Sequence, residues 1–357
     1  MTLHLGVASA TNAGLPGAFS ETVKVAVLGA GNFGTAMAQI AARQGHHVSL
    51  YARNQEQVNA INATRRNPLF FPEFELASSI VATSSVAESC ANATLVVICI
   101  PAQSTPDFLA QHKDAIPADA ILVVTSKGCR LYLKTKQLLS VPILEAIGRD
   151  QPLTFLSGPS FALELMKNAP SAVVRRQASA WPCCPLIRFP GSRKYAWSIE
   201  VFGVDLIAWQ DIIGVQLGGA LKNPLAIGAG MIEGSGMGIN TLAAYVTRSS
   251  LELQKLCIAM GGLPHTISGL SGIGDLMLTA FGSLSRNRTC GIRLIHMQNI
   301  MKDATVEGVP TAEVAVYFAD KCGLDLPLFR TVNDMIQGRV NAEDLQSILM
   351  NRPLKSE

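Results

Sequence analysis

Apolar positions along the chain follow two regimes, and the change comes near residue 210. In the first, short apolar runs alternate with polar or glycine-rich stretches. Val23, Val25 and Val27 alternate with other residues at period two, the pattern of a short buried strand. His47–Tyr51 (HVSLY) reads as a second strand. Thr94–Ile100 (TLVVICI) and Ile121–Thr125 (ILVVT) are continuous apolar runs, as expected of strands buried on both faces. Leu153–Leu156 repeats them. Between the strands, Thr35–Gln44 and Gln55–Asn62 carry helical patterns free of Pro and Gly. This alternation predicts a doubly wound α/β sheet. In the second regime, Ala220–Gly238 and Gly261–Gly274 show long helical patterns with little strand signal.

The junction of first strand and first helix carries the most specific motif. Val23–Gly34 (VKVAVLGAGNFG) places Gly29, Gly31 and Gly34 at the G-x-G-x-x-G spacing, after a strand and before a helix. Gly29 permits the tight turn, Gly31 lets backbone approach a pyrophosphate, and Gly34 allows close helix–strand packing. The helix N-terminus then offers free N–H groups to the anion. A dinucleotide site is expected here.

Composition narrows the class. The 357 residues suggest two domains, and 48% hydrophobic residues supply sizeable cores. A net charge of +3 with 15% charged residues gives no case for nucleic acid or a membrane surface. No apolar run reaches the roughly 20 residues of a membrane span. Eight cysteines are scattered without metal-ligand spacing, so reduced thiols and no metal site are expected. Residues 1–22 are rich in Ala, Gly, Ser and Thr and lack Lys and Arg, which fits a disordered extension better than a secretory signal. A weak organelle-targeting role competes with that reading; the compartment otherwise expected is the cytoplasm.

Candidate chemistry sits at strand ends and in the helical half. After the second strand the chain runs Tyr51-Ala52-Arg53-Asn54, with no acid until Glu56. Arg53 either pairs with a 2′-phosphate or stacks on adenine, or is a plain loop arginine. Lys127 follows the Ile121–Thr125 strand, placed for an anion or simply exposed. Gly158-Pro159-Ser160-Phe161-Ala162 reads as a turn into a helix that offers donors to phosphate, or as a helix start with Ser160 as N-cap. Lys222 lies in an apolar, glycine-flanked helix. Desolvation there would lower its pKa toward neutrality, unless it snorkels to water. Asp275, Thr279, Ser285, Arg286 and Asn287 cluster a carboxylate, hydroxyls and a fork-shaped cation within a short span, which suggests a site.

In these stretches the chain resembles the glycerol-3-phosphate dehydrogenase family, most nearly its bacterial-type branch. The matching residues are GAGNFG (29–34), SKG (126–128), SGPSFA (157–162), IGVQLGGALKN (213–223), GLSGIGDLMLT (269–279), SRNR (285–288) and VEG (306–308), in family order. The resemblance implies a Rossmann-type N-terminal domain, here 23–210, and an all-helical C-terminal domain, 211–350, with the site between them. It implies NAD(H) or NADP(H) as cofactor, interconversion of dihydroxyacetone phosphate and glycerol 3-phosphate, and a supply of the latter for glycerolipid synthesis. By the same resemblance Lys222 is the general acid/base, and Lys127, Asp275 and Thr279 surround the reacting end. Gly158, Ser160, Asn223, Arg286 and Asn287, with Lys127, contact substrate. Asn32, Phe33, Ala162, Arg286 and Glu307 fall at the family's cofactor positions, and the candidates read from the residues themselves, Gly29, Gly31, Gly34, Arg53 and Lys127, complete the cofactor set. The expected partner is a phosphorylated triose or glycerol, with a second copy of the chain as one assembly. A 6-phosphogluconate or hydroxyacyl-CoA type dehydrogenase and a non-catalytic dinucleotide-binding protein are the alternatives.

Two stretches depart from the family. Pro224 follows the Lys-Asn pair, where helix interiors disfavour proline by about 3 kcal/mol or more and Lys222 could be displaced. Arg175–Gln210 holds all three Trp and several prolines, and follows neither strand nor helix period. An insertion and a shifted reading frame would both produce such a stretch.

Overall fold

The apolar runs pair into one sheet. The computed structural model describes residues 22–127, 129–132, 135–178, 205–208, 211–296 and 306–350. The N-terminal extension before Thr22 and most of the atypical 175–210 stretch, with its Trp residues, lie outside the described residues. In chain order the first five strands are β1 (Lys24–Leu28), β2 (His47–Tyr51), β3 (Ile80–Thr83), β4 (Leu95–Ile98) and β5 (Ile121–Val124). A two-stranded antiparallel hairpin follows, β6 (Cys129–Tyr132) with β7 (Thr135–Leu138). The sheet then resumes with β8 (Leu153–Ser157), β9 (Ala172–Ala178) and β10 (Asp205–Ala208).

The strand order is β10-β9-β8-β5-β4-β1-β2-β3. The six strands from β8 to β3 are all parallel, while β9 runs antiparallel to β8. The order reverses between β1 and β4, and such switch points are where open α/β sheets bind ligands. Period two accounts for the packing. Val25 and Val27 join a core with Ala36, Met37 and Ile40, and Ala26 and Leu28 join the opposite one with Val86, Val96 and Ile98.

Six helices accompany the sheet among the described residues: α1 (Asn32–Arg43), α2 (Gln55–Thr64), α3 (Val86–Cys90), α4 (Thr105–His112), α5 (Ser140–Ile147) and α6 (Ala162–Met166). The first begins three residues before the expected Thr35, because Gly31 serves as its N-cap and Gly34 falls in its first turn. The expected capping role of Ser160 is not realised. Phe161 precedes α6 without a side-chain cap, and the Ser160 hydroxyl turns back to donate to Gly158 O at 3.1 Å.

The second half is helical. It contains α7 (Ile212–Gly234), α8 (Gly238–Ala259), α9 (Pro264–Ser268), a π-helical turn (Leu270–Gly274), α10 (Asp275–Phe281), α11 (Arg286–Ile295), α12 (Gly308–Lys321), α13 (Pro327–Ile336) and α14 (Leu345–Met350). Helix α7 is its axis, buried without interruption from Gly214 to Ile232. A helix apolar all round belongs in a core. Two of its glycines allow the contacts that set the site: a Cβ at Gly218 would lie 2.5 Å from Ser271 O, and one at Gly219 2.7 Å from Ser157 Oγ. The helix start is fixed by Asp211, whose carboxylate accepts from Gly214 N at 2.8 Å, Leu263 N at 2.6 Å and Thr266 Oγ1 at 2.8 Å. Pro224 sits inside α7 without ending it. Packing on every side outweighs the local penalty, and Lys222 keeps its partners. No described helix is long and apolar enough to cross a membrane.

Candidate active site

At the end of β1 the three glycines do different things. Gly29 has φ +115°, and a Cβ there would lie 2.7 Å from Cys99 O. A Cβ at Gly34 would run into Gly29 O and lie 3.2 Å from Cys99 Cβ. At Gly31 nothing lies within 4 Å of the Cβ position, so the turn is open on that side. Helix α1 has no side-chain cap at its N-terminus. Several other helices share this, while α2, α3, α7 and α11 are capped by Asn54, Ser85, Asp211 and Ser285. An uncapped first turn beside an open glycine leaves N–H groups for an anion, which fits a dinucleotide pyrophosphate. Asn32 is exposed in that turn, and half-buried Phe33 packs on the sheet core. Arg53 is exposed just past β2, and the neighbouring Asn54 is occupied in capping α2.

At the same carboxyl edge of the sheet, past β5, three charged groups from distant parts of the chain meet. Lys127, just past β5, donates from Nζ to Gly158 O at 2.7 Å and to Asp275 Oδ2 at 2.7 Å. Lys222 donates from Nζ to Asp275 Oδ1 at 2.8 Å and to Thr279 Oγ1. The Thr279 hydroxyl donates its own proton to Asp275 O at 2.6 Å, so its lone pairs face the lysine. Lys222 and Asp275 are 6% and 1% exposed, which excludes a snorkelling lysine. Lys127 is likewise no plain surface lysine, since both its bonds lie within the fold.

Burial pushes the Lys222 ammonium down, and Lys127 adds to the effect. The Asp275 carboxylate opposes them, and the balance lowers the pKa to about 8. Burial pushes the Asp275 carboxyl up, but the two lysines outweigh it and hold it below the ordinary range. One carboxylate therefore stays ionised between two cations and fixes both. Glu307, ahead of α12, is pushed up by burial, against the pull of Arg286 and of a hydrogen bond from the Ala102 backbone.

A chain of amides joins these parts. Asn223 donates to Lys127 O at 3.1 Å, Asn287 donates to Asn223 Oδ1 at 3.0 Å, and Gly308 N donates to Asn287 Oδ1 at 3.0 Å. The structure thus brings Lys127, Gly158, Ser160, Lys222, Asn223, Asp275, Thr279 and Asn287 into one connected corner. Arg286 opens α11 with its side chain exposed, close enough to Glu307 to pull on its carboxyl. Ala162 opens α6. Two buried residues beside the glycine turn, Gln57 and Asn67, have no role in the sequence reading. The only signal there is the Asn67-Pro68 dipeptide, which marks a turn.

Known proteins align with this arrangement along nearly its whole length. The profile for the NAD-dependent glycerol-3-phosphate dehydrogenase N-terminus matches residues 24–180, and that for its C-terminus matches 211–347. The interval between them coincides with most of the atypical stretch. A glycerol-3-phosphate dehydrogenase [NAD(P)+] of Mesorhizobium japonicum is 38% identical over 94% of each chain. One from Brucella ovis is 37% identical over 94% of this chain and 99% of its own. Among solved structures, the glycerol-3-phosphate dehydrogenase of Coxiella burnetii superposes with a TM-score of 0.83 at 27% identity, covering 93% of this chain and 99% of that one.

Proposed function

The chain belongs to the NAD-dependent glycerol-3-phosphate dehydrogenase family, and on that premise we propose that it interconverts dihydroxyacetone phosphate and sn-glycerol 3-phosphate with Lys222 as the proton donor and acceptor. It is an NAD(P)-dependent oxidoreductase. The observation that carries the residue assignment is the buried Lys222 ammonium, held by Asp275 and Thr279 with its pKa lowered to about 8. A bound nicotinamide supplies the hydride in one direction and accepts it in the other.

The chain's own residues do the rest. Hydride addition to a ketone leaves an alkoxide that needs a proton, and Lys222 Nζ delivers it; in oxidation the same nitrogen removes it. Lys127 keeps a second cation at the corner, fixed by Gly158 O and Asp275, where it stabilises charge on the substrate oxygen. Asp275 holds both lysines and does not itself transfer the proton, since its carboxyl is held below the ordinary range. Arg286, exposed and within electrostatic reach of Glu307, supplies a fork for the phosphate, and the Gly158–Ala162 turn adds donors. Phosphate binding remote from the reacting carbon positions the carbonyl. Cofactor contacts fall to Gly29, Gly31, Asn32, Phe33, Gly34, Arg53, Ala162 and Glu307. The domain boundary we draw near residue 210 is supported by the last described strand ending at Ala208 and α7 beginning at Ile212. The cytoplasm is the compartment we propose, on the scattered spacing of the cysteines along the chain.

Nicotinamide absorbance tests this reading. Dihydroxyacetone phosphate should drive oxidation of NADH or NADPH, and neither 6-phosphogluconate nor a hydroxyacyl-CoA should drive the reverse. Cofactor binding with no turnover of dihydroxyacetone phosphate would overturn it.

A further inference from the structure

We propose that Gln57 and Asn67 are positioning residues for the dinucleotide, locking the Ala30–Gly31 peptide of the glycine turn with its N–H toward the ligand. The node is the Ala30 carbonyl. It accepts from Gln57 Nε2 at 3.1 Å and from Asn67 Nδ2 at 3.0 Å. Gln57 lies on α2 and Asn67 in the stretch that follows it, and the two are 7% and 0% exposed. Asn67 is itself fixed from three sides. Its Nδ2 also donates to Thr35 Oγ1 on α1 at 2.8 Å, and its Oδ1 accepts from Gln57 Nε2 at 2.9 Å and Leu69 N at 3.3 Å. Two neutral amides, buried and mutually bonded, are therefore aimed at one carbonyl in the middle of G-A-G.

The consequence follows from peptide geometry. In a planar trans peptide the C=O and N–H point in opposite directions. Holding the Ala30 oxygen back on Gln57 and Asn67 turns the Gly31 N–H away from them, and no described backbone carbonyl takes that N–H. Nothing lies within 4 Å of the Gly31 Cβ position, so a ligand can approach the turn there. Glycine makes the turn possible and also makes it easy to misorient, because a residue without Cβ lets the preceding peptide rotate cheaply. The rotated form would aim the Ala30 carbonyl dipole at an anion. It would also leave one N–H of each buried amide without an acceptor, which is costly. The pair thus selects the anion-binding orientation. This rests on the reading of the glycine turn as the cofactor site.

The test is fluorescence titration of NADH and NADPH onto the full chain, with melting temperature and kcat at saturating cofactor measured alongside. Asn67→Leu and Gln57→Met should each raise the cofactor Kd by about tenfold or more, with kcat at saturation within about twofold of the parent. Asn62→Leu is the control. Asn62 lies on the same helix and makes a comparable amide clamp, donating to Ala82 O at 2.9 Å and accepting from Ala82 N at 2.8 Å, but on edge strand β3. Its Kd should stay at the parent value even where its melting temperature falls as far. If Asn67→Leu does not fold, Gln57→Met decides. Parent-like Kd in both variants while Gly31→Val loses binding would overturn the lock alone. Parent-like binding in Gly31→Val would remove the glycine-turn reading beneath it. Equal losses in all three amide variants, tracking melting temperature, would reduce the pair to scaffolding and also overturn the proposal.

Discussion

The glycine turn at β1 and the lysine corner around Asp275 are built from opposite materials. Residues 29–34 carry no charged side chain, and the turn offers backbone N–H groups and the open space beside Gly31. The lysine corner offers two ammonium groups and one carboxylate at 2.7–2.8 Å, closely packed. The difference follows from what each region meets. A pyrophosphate brings its own charge, so oriented dipoles suffice and a rigid backbone supplies them with no side chain to order. A proton transfer needs a group that changes charge near neutral pH, and a lysine reaches that range only when desolvated. The first region should therefore be sensitive to added bulk and indifferent to pH. The second should be sensitive to charge and proton inventory.

The largest expected effect breaks the first region. Gly31→Val places a branched side chain in the open space and should remove measurable cofactor binding by titration, whereas an unchanged Kd would mean the ligand does not approach there.

Changing pH strikes only the second region. Reduction requires protonated Lys222 and oxidation requires it neutral. With its pKa lowered to about 8, kcat for reduction should fall about tenfold per pH unit above that value, while kcat for oxidation should rise with pH and level off there. Asp275 raises the lysine's pKa, so Asp275→Asn should move both limbs to lower pH. Profiles of kcat in the two directions decide this, and matching limbs of the same sign would count against a single donor and acceptor.

The smallest effect sharpens the contrast at the outer edge of the turn. Arg53→Asp adds an acceptor for ribose hydroxyls and repels a 2′-phosphate, so the ratio of NADPH to NADH kcat/KM should drop. If the ratio is unchanged, the exposed Arg53 does not read the ribose.

These two regions also differed in how far the chain alone disclosed them. The turn was largely legible, because the steric needs of Gly29 and Gly34 are written within six residues, although its helix starts at Asn32 rather than the expected Thr35. The buried strands were legible for the same reason, and His47–Tyr51 has the bounds that its pattern predicts. Lys222 was half legible. Its apolar flanks pointed to a lowered pKa, but the partner that fixes it is 53 residues away, and the same carboxylate holds Lys127 across 148. Nothing local to Asp275 says which lysine it serves, or that it serves both. Local rules misled where tertiary packing outweighed them. Pro224 ought to break a helix, yet α7 is buried on every side and runs through it. Ser160 has the chemistry of a cap, but its hydroxyl is drawn to the Gly158 carbonyl. Gln57 and Asn67 were invisible because their shared target, Ala30 O, is a backbone atom, and which side chains reach it depends on how the turn folds.

The central claim is that Lys222, not Lys127, moves the proton. The most direct measurement is kcat for dihydroxyacetone phosphate reduction, at saturating cofactor, in Lys222→Arg and Lys127→Arg side by side. Arginine keeps a cation at either position but does not release its proton near neutral pH. Lys222→Arg should lose about 10²–10⁴ of kcat, the usual contribution of a general acid, with cofactor Kd unchanged. Lys127→Arg, which preserves the fixed charge, should retain much more. An active Lys222→Arg beside an inactive Lys127→Arg would contradict the account and give the proton to Lys127.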